Sequence, residues 1–144
     1  PLRGRKIRRK MQAAILSAKL PHLTAWTEAR RAAAGRYDEL LSGIPGIITP
    51  KTREGARHVY HVYCIRAPRR DELQESLKRA GVDTTRHYPT PLPLLTAYRR
   101  LGYSAADFPI ASRHAKEILS LPIYPEITDE QQAYVAEQIR AFYA

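Results

Sequence analysis

The stretch Arg86-His87-Tyr88-Pro89-Thr90-Pro91-Leu92-Pro93 sets a guanidinium, an imidazole and a phenol on a backbone stiffened by three prolines. Groups of this kind hydrogen-bond and stack on a polar ligand, and proline supplies the rigidity. Each proline fixes its own φ and pushes the residue before it toward extended conformations, so the segment belongs to neither a helix nor a central strand. Two readings stay open from these residues alone. One is a ligand-facing edge carrying His87 and Tyr88; the other is a proline-rich connector whose histidine is merely solvated.

The remaining chemistry-bearing residues are scattered. His58 and His61 stand three apart, which in a strand puts them on opposite faces and argues against a metal pair. His22 and His114 lie in helical patterns without a partner at ligand spacing, and Trp26, Tyr37 and Tyr143 recur at helical spacing, a packing pattern. Cys64 is the only cysteine and sits in an apolar run, which excludes an internal disulfide and reads as a buried structural thiol. No Ser-His-Asp order, Gly-rich phosphate loop or zinc spacing is present, so no catalytic residue, cofactor-binding residue or metal ligand is assigned.

Charge is concentrated at one end. Six of the 24 basic residues lie in the first ten positions with no acid among them, and the rest of the chain carries 18 basic against 14 acidic residues, a net +4. Residues 1–10 therefore read as a basic arm, expected to be flexible, able to hold a phosphate backbone through counterion release yet lacking an aromatic residue to stack a base. A solvated or exposed edge ranks above nucleic-acid binding. The 144 residues suffice for one domain with a single core. No apolar run approaches the roughly 20 residues that span a bilayer, so no membrane contact and a cytoplasmic location are expected.

Seven elements must position these groups. Ala-rich residues 12–20 form a helix, Pro21 marks a kink or a new first turn, and residues 22–41 carry an apolar face of Leu23, Trp26, Ala29, Ala33, Tyr37, Leu40 and Leu41. Gly43, Pro45 and Gly46 end that helix. Residues 59–65, β-branched and aromatic, form a strand. Residues 71–80 form a helix with acids in its first turn, bases in its last and Gly81 beyond. A short strand over 82–87 ends at Arg86 and His87; a helix over 109–119, a strand over 121–124 and a helix over 128–143 follow. Thr128 and Gln131 make a capping box at the start of the last helix. The pattern predicts an α+β fold, a two-layer sandwich of a small three-stranded sheet with helices covering one face.

Residues 11–144 also resemble, in order and spacing, the C-terminal part of a DegT-type, StrS-like pyridoxal-phosphate-dependent nucleotide-sugar aminotransferase. The resemblance rests on Gln12-Ala13-Ala14-Ile15-Leu16, Lys19-Leu20-Pro21-His22-Leu23, His58-Val59-Tyr60-His61-Val62-Tyr63 and His87-Tyr88-Pro89. It continues through Phe108-Pro109-Ile110-Ala111, Leu119-Ser120-Leu121-Pro122-Ile123-Tyr124-Pro125 and Thr128-Asp129-Glu130-Gln131-Gln132.

The resemblance implies the small C-terminal domain of the aspartate-aminotransferase fold over residues 11–144, preceded by the basic arm, with the large cofactor-binding domain absent. It implies amino transfer to a keto nucleotide sugar, with His87 and Tyr88 on the substrate side. In this family the large domain carries the Schiff-base lysine. The lysines here, Lys6, Lys10, Lys19, Lys51, Lys78 and Lys116, have no cofactor-binding motif beside them. The isolated chain is thus expected to lack transaminase activity and not to hold pyridoxal phosphate alone. A homodimer or a large-domain partner is expected to cover the N-terminal helices. The alternative is a basic nucleic-acid-binding or protein-interaction module reusing this domain. Two departures stand out: Gly4-Arg5-Lys6-Ile7-Arg8-Arg9-Lys10 replaces a Gly-Tyr-Asn-type segment, and Pro91-Leu92-Pro93-Leu94-Leu95 replaces Pro-Leu-His-Leu-Gln.

Overall fold

The computed structural model describes residues 2–144, with side chains described from Lys10 onward, so the side chains that would make the arm a phosphate-binding surface lie outside the described residues. The first helix, α1, runs Leu2–Lys19. A 3-10 turn over Leu20–His22 carries Pro21 near its start, and α2 continues over Leu23–Leu40. The expected break at Pro21 is therefore present. The expected apolar face of α2 splits in two: Ala33, Ala34 and Tyr37 are buried, whereas Leu23 is 52% exposed. Met11, Ile15, Leu16 and Leu20 of the preceding segment are exposed as well.

The strand expected over 59–65 is shorter and begins later, as β1 over Tyr63–Arg66. Tyr60 adopts a left-handed φ of 45°, which interrupts an extended path, and its amide donates to His58 Nδ1 at 3.0 Å. Strand β2 spans Ile118–Leu121 and pairs antiparallel with β1 in the register Tyr63↔Leu121, Cys64↔Ser120, Ile65↔Leu119 and Arg66↔Ile118. The strand expected over 121–124 starts three residues earlier, and the helix before it, α4 over Pro109–Glu117, ends two residues short of the expected 119. Pairing from Ile118 sends Leu119 and Leu121 into the core, and Pro122 follows where the ladder stops.

The three-stranded sheet is not formed; the sheet has two strands. The segment expected as a third strand contributes one bridge, Thr85↔Ser120, and Ile48↔Arg66 adds another on the opposite edge. The ladder does not extend past Thr85: in the register of the Thr85↔Ser120 bridge the next partner of Asp83 is Pro122, which has no N–H to donate, and on the other side prolines follow Tyr88.

Helix α3 covers Arg70–Arg79 and α5 covers Asp129–Tyr143. The capping box forms as expected: Gln131 N donates to Thr128 Oγ1 at 3.2 Å and Thr128 N donates to Gln131 Oε1 at 3.0 Å. Helices α2, α3 and α5 enclose the inner sheet face, where Tyr63, Ile65, Leu119 and Leu121 meet Tyr37, Leu73, Leu77, Val135 and Ile139. The result is an α+β layer pair with its core on one side of the sheet. Buried Gln132 ties α5 to α2 by donating to the Ala33 carbonyl at 2.8 Å. Gly46 has φ +78°, and a Cβ there would lie 2.8 Å from Pro68 Cγ, so this turn needs glycine on both counts.

Two tyrosines give the core a pH dependence. Burial, with the Tyr124 phenol nearby, raises the Tyr37 pKa well above its ordinary value. Burial and the hydrogen bond to Asp38 do the same for Tyr63, whose hydroxyl donates to Asp38 Oδ1 at 2.6 Å. Both phenols stay neutral in the native state while unfolded tyrosines ionise near about pH 10, so this stability is complete below that pH and lost as pH rises beyond it. We expect the urea midpoint to fall steeply above about pH 10, and Tyr63→Phe to flatten that alkaline fall. An alkaline limb unchanged by the substitution would contradict the assignment.

Candidate functional site

The outer sheet face is where the chemistry gathers. By strand alternation, Cys64 and Arg66 of β1 and Ile118 and Ser120 of β2 point away from the core. The Thr85 bridge lays the Arg86 to Tyr88 corner along the edge of β2: Thr85 N donates to the Ser120 carbonyl at 3.2 Å and Ser120 N donates to the Thr85 carbonyl at 2.7 Å. His87 lies two residues past Thr85 and returns to the same face, with Nδ1 3.0 Å from Ser120 Oγ. The Tyr88 ring meets the His87 ring edge-on at a centroid distance of 5.5 Å, across a cis peptide bond. Tyr88 is 73% exposed, so its phenol face is free to stack.

Arg86 does not join them. Its Nε donates to Gln74 Oε1 at 2.7 Å and its Nη2 lies 3.1 Å from Asp71 Oδ1, which turns the guanidinium toward α3. The exposed corner therefore carries the imidazole and the phenol without the guanidinium. Beside it a cavity of about 320 Å³ is lined by Tyr88, Pro89, Thr90, Leu92 and Leu95. Its wall is mostly apolar because Leu92 and Leu95 stand in the proline-rich run that follows. The 3-10 turns over Leu92–Leu94 and Thr96–Leu101 give this segment its form.

A second cleft of about 530 Å³ opens on the other side of the face, lined by Ile48, Thr49, Pro50, Lys51, Cys64, Arg66 and Ile118. Arg66 Nη1 lies 2.6 Å from His114 Nε2 and 3.6 Å from Glu117 Oε2, so α4 (Pro109–Glu117) fixes the guanidinium. Cys64, expected as a buried structural thiol, is only half-buried, because β1 points it outward and away from the core.

The structure separates the other histidines. His58 accepts from the Tyr60 amide, His61 is exposed before β1, and neither approaches His87's ligand edge through any hydrogen bond among the described residues. His22 packs its ring 5.4 Å from Trp26. Among the described residues no group of three or more His, Cys, Asp or Glu side chains is placed to hold a metal. Lys10, Lys19, Lys51, Lys78 and Lys116 are all exposed. Sequence reasoning missed Ser120 and Arg66, and it set aside His114, whose partner Arg66 lies 48 residues away in sequence. The signal for Ser120 was its place in Leu119-Ser120-Leu121, where a small polar residue between two core leucines marks the opposite face of a strand.

The outer sheet face thus carries an imidazole and a phenol at its β2 edge, beside a proline-framed cavity. Residues 4–140 match the DegT/DnrJ/EryC1/StrS aminotransferase family, and the chain belongs to that family. It is 52% identical over 135 residues to the pleiotropic regulatory protein of Geobacillus stearothermophilus, covering 92% of this chain and 36% of that one. It is 39% identical to a dTDP-3-amino-3,4,6-trideoxy-alpha-D-glucose transaminase of Streptomyces venezuelae, covering 90% of this chain and 34% of the relative. Among solved structures, S. venezuelae DesV in complex with a ketimine intermediate superposes with a TM-score of 0.88 at 38% identity, over 92% of this chain and 36% of DesV. A DegT DnrJ EryC1 StrS aminotransferase from Brucella abortus gives a TM-score of 0.83 at 33% identity, over 92% of this chain and 35% of that chain. The chain thus spans about 36% of the length of the relatives it matches. The family is one of pyridoxal-phosphate-dependent aminotransferases.

Proposed function

We propose that these residues form the C-terminal domain of a pyridoxal-phosphate-dependent sugar aminotransferase, contributing the substrate side of a site whose cofactor-holding part lies in the length of the relatives that this chain does not match. The observation that carries this reading is the His87 and Tyr88 corner on the open sheet face, within a superposition that covers 92% of this chain but 36% of DesV. His87 offers a hydrogen bond and Tyr88 an aromatic face. Those are the two contacts a nucleotide sugar accepts through its hydroxyl or phosphate oxygens and its base.

The described residues do not fit pyridoxal phosphate. The group needs a lysine amine for its aldehyde, a carboxylate for its ring nitrogen and separate donors for its phosphate. The described lysines are exposed; the cleft that holds Lys78 with Glu75 and Asp83 has no aromatic wall and no second cation, and the cleft that holds Lys51 and Arg66 has no carboxylate and no aromatic residue in its lining. The exposed Met11, Ile15, Leu16 and Leu20 fit a surface that another domain or a second copy covers, since contiguous apolar patches are unfavourable in water.

The test is a chimera in which residues 11–144 replace the matching part of the S. venezuelae transaminase. Amino transfer from glutamate to a keto nucleotide sugar is expected. A chimera that folds and binds pyridoxal phosphate yet turns over no keto sugar nucleotide would refute the reading.

A further inference from the structure

We propose that Ser120 is the positioning residue of this site: its hydroxyl donates to His87 Nδ1 and so holds the imidazole in the tautomer that presents Nε2–H outward as a donor to a hydroxyl or phosphate oxygen. The use of that donor rests on the reading of His87 as substrate-facing, whereas the tautomer itself rests on the local geometry alone.

Ser120 is 4% exposed, one of few buried polar residues of the chain. Its backbone is fully committed, since its amide and carbonyl both pair with Thr85, and the β1–β2 ladder fixes the strand on the other edge. The hydroxyl therefore hangs from a rigid frame. Its one side-chain partner among the described residues is His87 Nδ1, at 3.0 Å. A buried hydroxyl proton needs an acceptor. If Nδ1 carried the ring proton and donated to Oγ, the hydroxyl proton would be left without a recorded acceptor. With Nδ1 accepting, every proton is placed and the neutral ring carries its own on Nε2. Nε2 lies across the ring from Ser120, on an exposed side chain, and no other described residue hydrogen-bonds it. One strand residue thus fixes the corner three times over, twice through its backbone and once through its side chain. The small size of serine matters: the imidazole must lie close to the strand for the bond to form.

Nitrogen-15 NMR of the imidazoles in the 144-residue chain, in mildly alkaline buffer, reads the tautomer directly. The expected result is a pyrrole-type signal from His87 Nε2 and a pyridine-type signal from Nδ1. Ser120→Ala is expected to cut the separation of these signals at least by half, as both tautomers become populated, while Ser120→Thr retains the hydroxyl and most of the separation. A pyrrole-type signal at Nδ1 in the unaltered chain would overturn the proposal without recourse to any variant, and so would a separation unchanged in a folded Ser120→Ala. Failure of the chimera to act on sugar nucleotides would sink the substrate reading and leave this result untouched, so the two failures are distinguishable.

Discussion

Replacing Tyr63 by alanine is expected to destabilise the chain by about 3–5 kcal/mol, the range for deleting a large buried aromatic side chain. Tyr63 is fully buried, its ring stacks on Tyr37 at 5.1 Å, and its hydroxyl bonds Asp38 of α2. The substitution therefore removes a ring from the joint between the sheet and α2, and it strands a carboxylate that the phenol had been satisfying. Since a small domain has only about 5–15 kcal/mol in hand, the substitution removes a large part of its stability and, at the low end of that range, all of it. Tyr63→Phe keeps the ring and loses only the bond to a charged group, about 1.5–3 kcal/mol. Urea unfolding followed by circular dichroism reads both. An alanine variant within about 1 kcal/mol of the parent would mean that the ring is not where the core needs it.

In the chimera, His87→Ala is expected to lower kcat/KM for the sugar nucleotide about 10- to 100-fold, which is what losing one hydrogen bond to a charged or strongly polar ligand is worth. The informative comparison is Arg86→Ala. It removes a charge one residue away, but the Arg86 guanidinium is engaged by Gln74 and Asp71, so its loss is expected to act on stability and to leave kcat/KM within about threefold. Electrostatic attraction of a diphosphate by the whole basic corner would instead make the arginine the more damaging loss. Steady-state kinetics of the two variants side by side decides between a specific imidazole contact and a general cationic edge.

The helix boundaries from Pro21 onward were mostly legible because local rules governed them, whereas α1 begins at Leu2, ten residues before the start expected at residue 12. Pro21 divides α1 from α2, Gly81 follows α3 with a left-handed φ of 75°, and Thr128 with Gln131 caps α5, each a choice made within a few residues of chain. The sheet was less legible because its partners are far apart in sequence. Residues 59–62 have strand composition, but the left-handed Tyr60 and its bond to His58 divert them into a turn. The segment from 82 to 87 reads as a short strand, but its bridge to Ser120 sets Asp83 opposite Pro122, which has no N–H, and the ladder stops there. The partner that stops the second segment lies far outside any local window.

The site follows the same division. His87 and Tyr88 stand out in the chain itself because prolines and an aromatic pair mark them. Arg86 was grouped with them by adjacency, and only the fold shows Asp71 and Gln74 drawing it away. Ser120 is 33 residues from His87, and its role exists only once the Thr85 bridge brings the two together.

The central claim, that this domain supplies substrate contacts while the cofactor is held elsewhere, is tested most directly by incubating the chain with pyridoxal phosphate, reducing with borohydride and locating the adducts by mass spectrometry against a denatured control. The account predicts no adduct, or scattered adducts on the exposed lysines that match the control in position and stoichiometry. A single lysine modified only in the folded chain would contradict it, because it would place a cofactor site within these residues.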